Sequence, residues 1–154
     1  MHLLRVVGAI VIYTAALTQC APQAALTPLA AFGDLKTAFV KKDAAMLERQ
    51  LSTGSVRKIR SMIMLFEGMD ARQRGAIAKK FGIESDRLAK LSVRDFCALT
   101  LAFNREKNAI GVATKQNIVG VNRSGGRAVI RVENGMDLVF VKEGPYWKFD
   151  MTDL

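Results

Sequence analysis

The spacing of apolar residues changes once along this chain. From residue 32 to residue 105 they recur at helical spacing, and from residue 117 to the end they alternate in short runs divided by turn residues. Helices followed by strands predict an α+β fold, with N-terminal helices packed on one face of a C-terminal antiparallel β-meander. Because no internal repeat or linker interrupts this pattern, residues 32–154 are expected to form a single domain.

Small polar residues and glycines mark where the helices should begin and end. Gly68 and Gly82 are expected to end two helices. Ser92 and Asp95 form a capping box, in which each side chain bonds the backbone N–H of the other residue. The expected caps at the helix starts are Asp34, Asp43, Ser55, Asp70 and Ser92.

The strand half contains Asn134-Gly135, the strongest short signal for a hairpin. A two-residue type I′ turn there sets Ile130 opposite Val139 and Ala128 opposite Val141. A three-residue loop over 143–145 then sets Trp147 beside Val141 and Phe149 beside Val139. The face expected toward the helices is Ala128, Ile130, Val132, Val139, Val141, Trp147 and Phe149. The expected outward residues are Arg127, Arg131, Lys142, Lys148 and Asp150, and a further strand is expected over 118–122.

The N-terminus has the layout of a signal peptide, predicted over residues 1–19. Arg5 precedes twelve residues, Val6 to Leu17, that carry no charge. A helix of that length spans about 18 Å, against about 30 Å for the hydrocarbon core of a bilayer, so a transmembrane segment is the weaker interpretation. The polar, proline-containing residues 20–31 are predicted to be a tether.

Leu17-Thr18-Gln19-Cys20 resembles the lipobox of bacterial lipoproteins, in which the cysteine becomes the lipidated N-terminus. Gln19 departs from the small residue that usually precedes that cysteine. The resemblance implies that Cys20 carries lipid and anchors the protein to a membrane of the cell envelope. Ordinary secretion, with cleavage after Ala16 or Ala21 and a soluble periplasmic or secreted product, stays open as the alternative.

The last strand gives a second resemblance. Trp147-Lys148-Phe149-Asp150, after a glycine turn and preceded by helices and a meander, is similar to the closing strand of bacterial lipoproteins in the nuclear transport factor 2-like superfamily. These are cone-shaped, cystatin-like α+β domains, and the resemblance covers residues 34–151. Residues 55–105 are a longer and more basic helical segment than such domains usually carry. An unrelated helix-plus-meander fold is the alternative.

The residue inventory excludes several kinds of site. The only His is at position 2 and there are two cysteines, so a zinc site, a disulfide framework and a Ser-His or Cys-His pair are not expected. Cys97 lies among apolar residues and is expected to be a small buried hydrophobe. Some members of the resembled superfamily are isomerases with an Asp base inside the cone. Here Asp137 is the one acid expected on the inward face, at its solvated rim, and we predict no catalytic residue, metal or cofactor.

The net charge of +9 is concentrated in the middle helices. Residues 55–107 hold 12 of the 23 basic residues and 6 of the 14 acidic ones. Such a face would attract anionic lipid headgroups or an acidic envelope partner, although a solvated helix surface is the simpler interpretation. Nucleic acid is not expected, since an exported protein seldom meets it and no aromatic residues are interleaved for stacking. The predicted basic surface is Arg57, Lys58, Arg60, Arg72, Arg74, Lys79 and Lys80.

These observations lead to two functional hypotheses. The first is a non-enzymatic cell-envelope lipoprotein, a membrane-tethered domain that binds another envelope component. The second is a small-molecule pocket protein or isomerase-like enzyme that uses the cone interior. The second requires a cavity behind its expected lining residues, which are Ile130, Val139, Val141, Trp147 and Phe149.

Overall fold

The computed structural model describes residues 25–102 and 108–153, and it confirms the α+β class. Helices pack against an open four-stranded antiparallel meander. The signal peptide, Cys20 and the first residues of the expected tether lie outside the described residues. The helices are α1 (Pro28–Lys41), α2 (Ala44–Gln50), α3 (Thr53–Gly68), α4 (Ala71–Phe81), α5 (Ser85–Leu88), α6 (Val93–Ala102) and α7 (Ala109–Ala113). The strands are β1 (Ile118–Ser124), β2 (Arg127–Val132), β3 (Asp137–Glu143) and β4 (Tyr146–Asp150).

Helix α1 begins six residues before the expected cap at Asp34. The Thr27 hydroxyl accepts a hydrogen bond from the N–H of Ala30, and Pro28 occupies the first turn, where a missing N–H costs nothing. Asp34 instead lies within α1, where its carboxylate accepts a hydrogen bond from the Gln50 amide. The expected tether over 20–31 therefore overlaps a helix, and the folded part of the chain begins earlier than predicted.

Most of the other caps are where the sequence places them. Asp43 and Asp70 cap α2 and α4, and Gly82 ends α4 with a φ of +67°. Ser92 and Asp95 form the expected capping box at the start of α6. The exception is α3, which is capped by Ser52 rather than Ser55, because the Ser52 hydroxyl accepts from the Ser55 N–H.

The hairpin between β2 and β3 lies where predicted, but its turn type and its register differ. The Gly135 N–H donates to the carbonyl of Val132, and Gly135 has a φ of +81°, whereas Asn134 does not adopt the positive φ that type I′ requires. The loop has three residues, with glycine in the left-handed position. Ile130 consequently pairs with Leu138, not Val139, and Val129 pairs with Val139.

The turn between β3 and β4 is one residue shorter than predicted, whereas the turn between β2 and β3 is one residue longer. The two register shifts therefore cancel at β4. Glu143 pairs with Tyr146 across a two-residue Gly144-Pro145 loop, and Phe140 pairs with Phe149. A one-residue shift in register moves every side chain of a strand to the other face of the sheet. Because the second shift cancels the first, only β3 has its two faces exchanged relative to the prediction. Leu138 and Phe140 are therefore in the core, and Lys142 shares their side of the sheet instead of facing outward.

The outer edge of β4 is covered by two segments of the helical half. The Trp147 N–H donates to the carbonyl of Ala25 at 2.8 Å, and the Ser52 N–H donates to the carbonyl of Phe149 at 2.8 Å. Helices α1, α2 and α3 all contact β4. β1 is the other edge of the sheet, and there Val121 is 47% exposed. Among the described residues, no helix combines the length and apolarity needed to cross a bilayer.

Candidate functional site

The predicted interior is filled rather than hollow. Ile130, Trp147 and Phe149 are each at most 1% exposed, and the Phe149 ring packs on Phe140 with centroids 5.6 Å apart. A space of about 20 Å³, roughly room for one water, lies between Phe149 and the helices. Three of the five expected lining residues, Ile130, Trp147 and Phe149, are thus part of a packed core.

Two of the predicted lining residues do not face this interior. Val139 and Val141 are half-buried on the opposite side of the sheet, because β3 is reversed relative to the prediction. Asp137, the acid expected on the inward face, shares that outer side. It makes a bidentate pair with Arg131, with N–O distances of 2.8 and 2.7 Å. The hydrogen bonds from Arg131 hold the pKa of Asp137 below its usual value, which makes it a poor proton acceptor.

Cys97 has the environment expected of an inert thiol. It is 1% exposed and contributes to the core. Burial raises the pKa of its thiol to about 12, so almost none is thiolate at neutral pH. The prediction of a small buried hydrophobe is confirmed.

A small pocket lies between the end of α1 and α7. Its volume is about 190 Å³, below the range of about 300–1,000 Å³ that is usual for ligand pockets. The Asn108 side chain there accepts from the Gly111 N–H and donates to the carbonyl of Thr100. The polar atoms of the Asn108 side chain are therefore already used, to cap α7 and to join it to the end of α6. The residues described around this pocket are Phe39, Val40, Leu101, Asn108, Gly111, Thr114 and Lys115.

Asp150 has a role that the sequence analysis missed. It leaves β4 on the side opposite Phe149, as alternation requires, but the start of α3 covers it and leaves it 8% exposed. Its carboxylate lies 2.5 Å from the Ser52 hydroxyl, 3.2 Å from that of Ser55 and 2.7 Å from that of Thr152. Burial alone would raise its pKa, but these hydrogen bonds outweigh burial and lower it. The cluster joins the end of the sheet to the cap of α3.

The predicted basic surface separates into connecting and exposed residues. Lys58 donates to the carbonyls of Met151 and Thr152, and Arg74 donates to those of Glu67 and Met69. These two cations join elements of the fold. The other five are exposed, with Arg57 and Arg60 on α3 and Arg72, Lys79 and Lys80 on α4.

The exposed cations of α4 share one side of that helix. Arg72, Lys79 and Lys80 lie opposite Ala78, which is the buried residue of α4. None of the three forms an ion pair within residues 25–102 and 108–153. Nearby, Arg94 is paired with Glu48 at 2.9 Å. Helices α3 and α4 together thus present five exposed cations that form no ion pair among the described residues.

Two shallow grooves follow α3 and meet at Arg60. One, of about 290 Å³, lies beside Leu51, Thr53 and Val56. The other, of about 470 Å³, lies beside Ile63, Met64, Leu91 and Val93.

Comparison with protein-family models, curated proteins and solved structures found no match to this chain. The architecture itself is compatible with a cone-like α+β domain.

Proposed function

We propose that this protein is a non-enzymatic lipoprotein of the bacterial cell envelope, with a nuclear transport factor 2-like domain held at a membrane by lipid on Cys20. The domain binds an anionic component of the envelope through the basic helices α3 and α4. The observation that carries this proposal is a contrast in the described residues. Trp147 and Phe149 are buried in the core, whereas the five exposed cations of α3 and α4 form no ion pair among the described residues.

The position of Ala25 supports the tethered arrangement. Its carbonyl accepts from the Trp147 N–H at the edge of β4, so the chain meets the domain beside the sheet. Cys20 is five residues earlier and can lie at most about 18 Å away. A lipid on Cys20 would keep this edge of the domain close to the membrane surface.

The alternative function, a small-molecule pocket protein or isomerase-like enzyme, has less support. It needs a dry cavity with a carboxylate facing a neutral donor. Asp137 instead pairs with Arg131 on the outer face of the sheet, and the space near Phe149 is only about 20 Å³.

Metabolic labelling tests the anchor. Cells producing the full chain are grown with a radioactive fatty acid, and the wild type is compared with Cys20→Ala. We expect label on the wild type and none on the variant. Cys97→Ala is the matched control and should keep the label, because the buried Cys97 thiol is not an acceptor. Label retained by Cys20→Ala would refute the anchor.

Vesicle binding tests the basic surface. We expect Lys79→Glu/Lys80→Glu to weaken sedimentation of the Cys20→Ala protein with phosphatidylglycerol vesicles by at least about tenfold, since each charge near a membrane contributes about 1 kcal/mol. The matched variant Lys115→Glu/Lys142→Glu makes the same charge change outside α3 and α4 and should have the smaller effect. Equal effects of the two variants would mean that net charge, rather than this surface, determines binding.

A further inference from the structure

The exposed side of α3 combines cations with large apolar residues. Opposite the buried Ser55, Ile59 and Ile63, it presents a set of residues that we name the α3 flank. Met64 and Leu65, in its C-terminal half, are 68% and 66% exposed, among the most exposed large apolar residues that the structure describes. The α3 flank consists of Arg57, Arg60, Ser61, Met64 and Leu65.

The two arginines of the α3 flank are not neutralised by neighbours. They lie three residues apart, so they are adjacent on the helix surface. Among the described residues, neither guanidinium forms an ion pair, and the nearby Glu48 carboxylate is already bound to Arg94. A pair of unpaired guanidinium groups is well suited to bind phosphate oxygens.

The charged and apolar parts of the α3 flank are arranged in sequence along the helix. Arg57 and Arg60 occupy the N-terminal half, and Met64 and Leu65 project from the next turn. Met64 borders one of the grooves beside α3, but Leu65 borders neither of them and is 66% exposed, where a planar surface can contact it. Basic residues beside exposed apolar ones are typical of helices that lie in the interface of an anionic membrane.

We propose that the α3 flank is a membrane-binding surface for anionic phospholipid, with Arg57 and Arg60 at the lipid phosphates and Met64 and Leu65 in the boundary between headgroups and acyl chains. This deepens the proposed function, since it chooses the bilayer itself over an acidic protein as the anionic component. It rests on the proposed function only for the direction from which the membrane approaches.

The path of the chain agrees with that direction. Ala25 and Ser52 bond to Trp147 and Phe149, which are two residues apart on β4, or about 7 Å along the strand. The point where the chain meets the domain and the start of α3 are thus neighbours on one sheet edge. A lipid on Cys20 would bring the α3 flank toward the same membrane.

The test places a polarity-sensitive fluorophore at Ser61, an exposed position inside the α3 flank. The protein is the full chain with Cys20→Ala and Ser61→Cys, which leaves position 61 as the reactive thiol because Cys97 is buried. It is mixed with vesicles of phosphatidylcholine alone, or of phosphatidylcholine and phosphatidylglycerol in equal amounts. The N-terminal apolar segment, with Arg5, is present in every sample, so the difference between each variant and its parent on the same vesicles reports on the domain.

We expect a blue shift with the mixed vesicles and little shift with phosphatidylcholine alone. Arg57→Gln/Arg60→Gln should raise the lipid concentration at half-maximal shift roughly 30-fold. Met64→Ser/Leu65→Ser should reduce the size of the shift, whereas Lys115→Gln/Lys142→Gln, with the same loss of charge, should have little effect. The intrinsic fluorescence of Trp147 verifies that each variant is folded.

Two outcomes would overturn the inference: no shift with mixed vesicles, or a shift that the arginine substitutions do not weaken. If a Glu-rich peptide shifts the fluorophore and the mixed vesicles do not, the partner is acidic protein rather than lipid. Because the protein lacks Cys20, these results do not depend on lipidation. Loss of fatty-acid labelling therefore identifies failure of the anchor, and loss of the shift identifies failure of the α3 flank.

Discussion

The meander and the α3–α4 segment contribute very differently to the core. The core-facing side chains of β2, β3 and β4 include Phe140, Trp147 and Phe149, each nearly inaccessible to solvent. In α4, by contrast, Ala78 is the only residue classed as buried, although the helix has 11 residues. Apolar burial at about 25 cal/mol per Å² therefore stabilises the meander far more than it stabilises α4.

This contrast agrees with the position of the five exposed cations, which lie on α3 and α4 rather than on the core face of the sheet. Unpaired cations in a packed sheet would lose hydration without compensation, whereas on α3 and α4 they stay solvated. A segment that contributes less to the core than the meander does can thus carry an interaction surface at little cost in stability. Substitutions in the two regions should have effects of different size.

The largest effect is expected inside the meander. Phe140→Ala should reduce the free energy of unfolding by about 3–5 kcal/mol, because it removes a ring that is fully buried against Phe149. The neighbouring Val141→Ala, on the half-buried outer side, should cost much less. Urea denaturation followed by Trp147 fluorescence measures both. A larger cost for Val141→Ala would mean that β3 has the opposite orientation, the one that a two-residue Asn134-Gly135 turn imposes.

A smaller effect is expected where the two regions are joined. Asp150→Asn should cost about 1–3 kcal/mol at neutral pH, since the Ser52 and Ser55 hydroxyls lose a charged acceptor. Asp153→Asn, at an exposed ion pair with Arg127, is the control and should change stability little.

The same carboxylate gives a pH dependence with a defined sign. The folded-state pKa of Asp150 is lowered, so its stabilising contribution is complete above the unfolded value of about 3.9 and is lost as the pH falls through the folded value. Urea denaturation at a series of acidic pH values should show a steeper loss of stability in the wild type than in Asp150→Asn. Equal slopes would show that Asp150 does not titrate in this range.

The smallest effects come from two glycines and have opposite signs. Gly135→Ala should destabilise by about 1 kcal/mol, because a φ of +81° is strained for alanine. Gly75→Ala should stabilise by about 0.4–1 kcal/mol, because Gly75 is inside α4 and an added methyl group would meet nothing within 4 Å. Thermal unfolding measures both changes. If Gly75→Ala is destabilising, α4 packs more tightly than its exposure indicates.

Local chemistry made most elements predictable. Asp43, Asp70 and the Ser92–Asp95 box cap their helices as predicted, since a cap depends on residues within one turn. The predicted start of α1 was wrong. Asp34 is a good cap in isolation, but here its carboxylate accepts a hydrogen bond from Gln50 of α2. Helices α5 and α7, of four and five residues, were not predicted, since such short segments carry too little periodicity to be recognised.

The candidate surface was predicted in part. Composition and helical spacing identified the basic residues of α3 and α4, but they could not distinguish Arg60, which is exposed, from Lys58, which bonds to the carbonyls of Met151 and Thr152. That difference depends on residues more than ninety positions away. The apolar half of the α3 flank could not be recognised from the sequence, because a methionine at helical spacing usually packs in a core.

The sequence by itself determined the class of fold, the order of its elements and the faces of β2 and β4, because period and turn chemistry are local properties. Only the tertiary structure decided the orientation of β3, the burial of Asp150 and which cations stay free. Two-residue and three-residue turns are both compatible with Asn134-Gly135, and only packing of the complete sheet selects between them. The capping of α3 by a cluster that includes Asp150 joins residues far apart in sequence, and no local pattern contains that information.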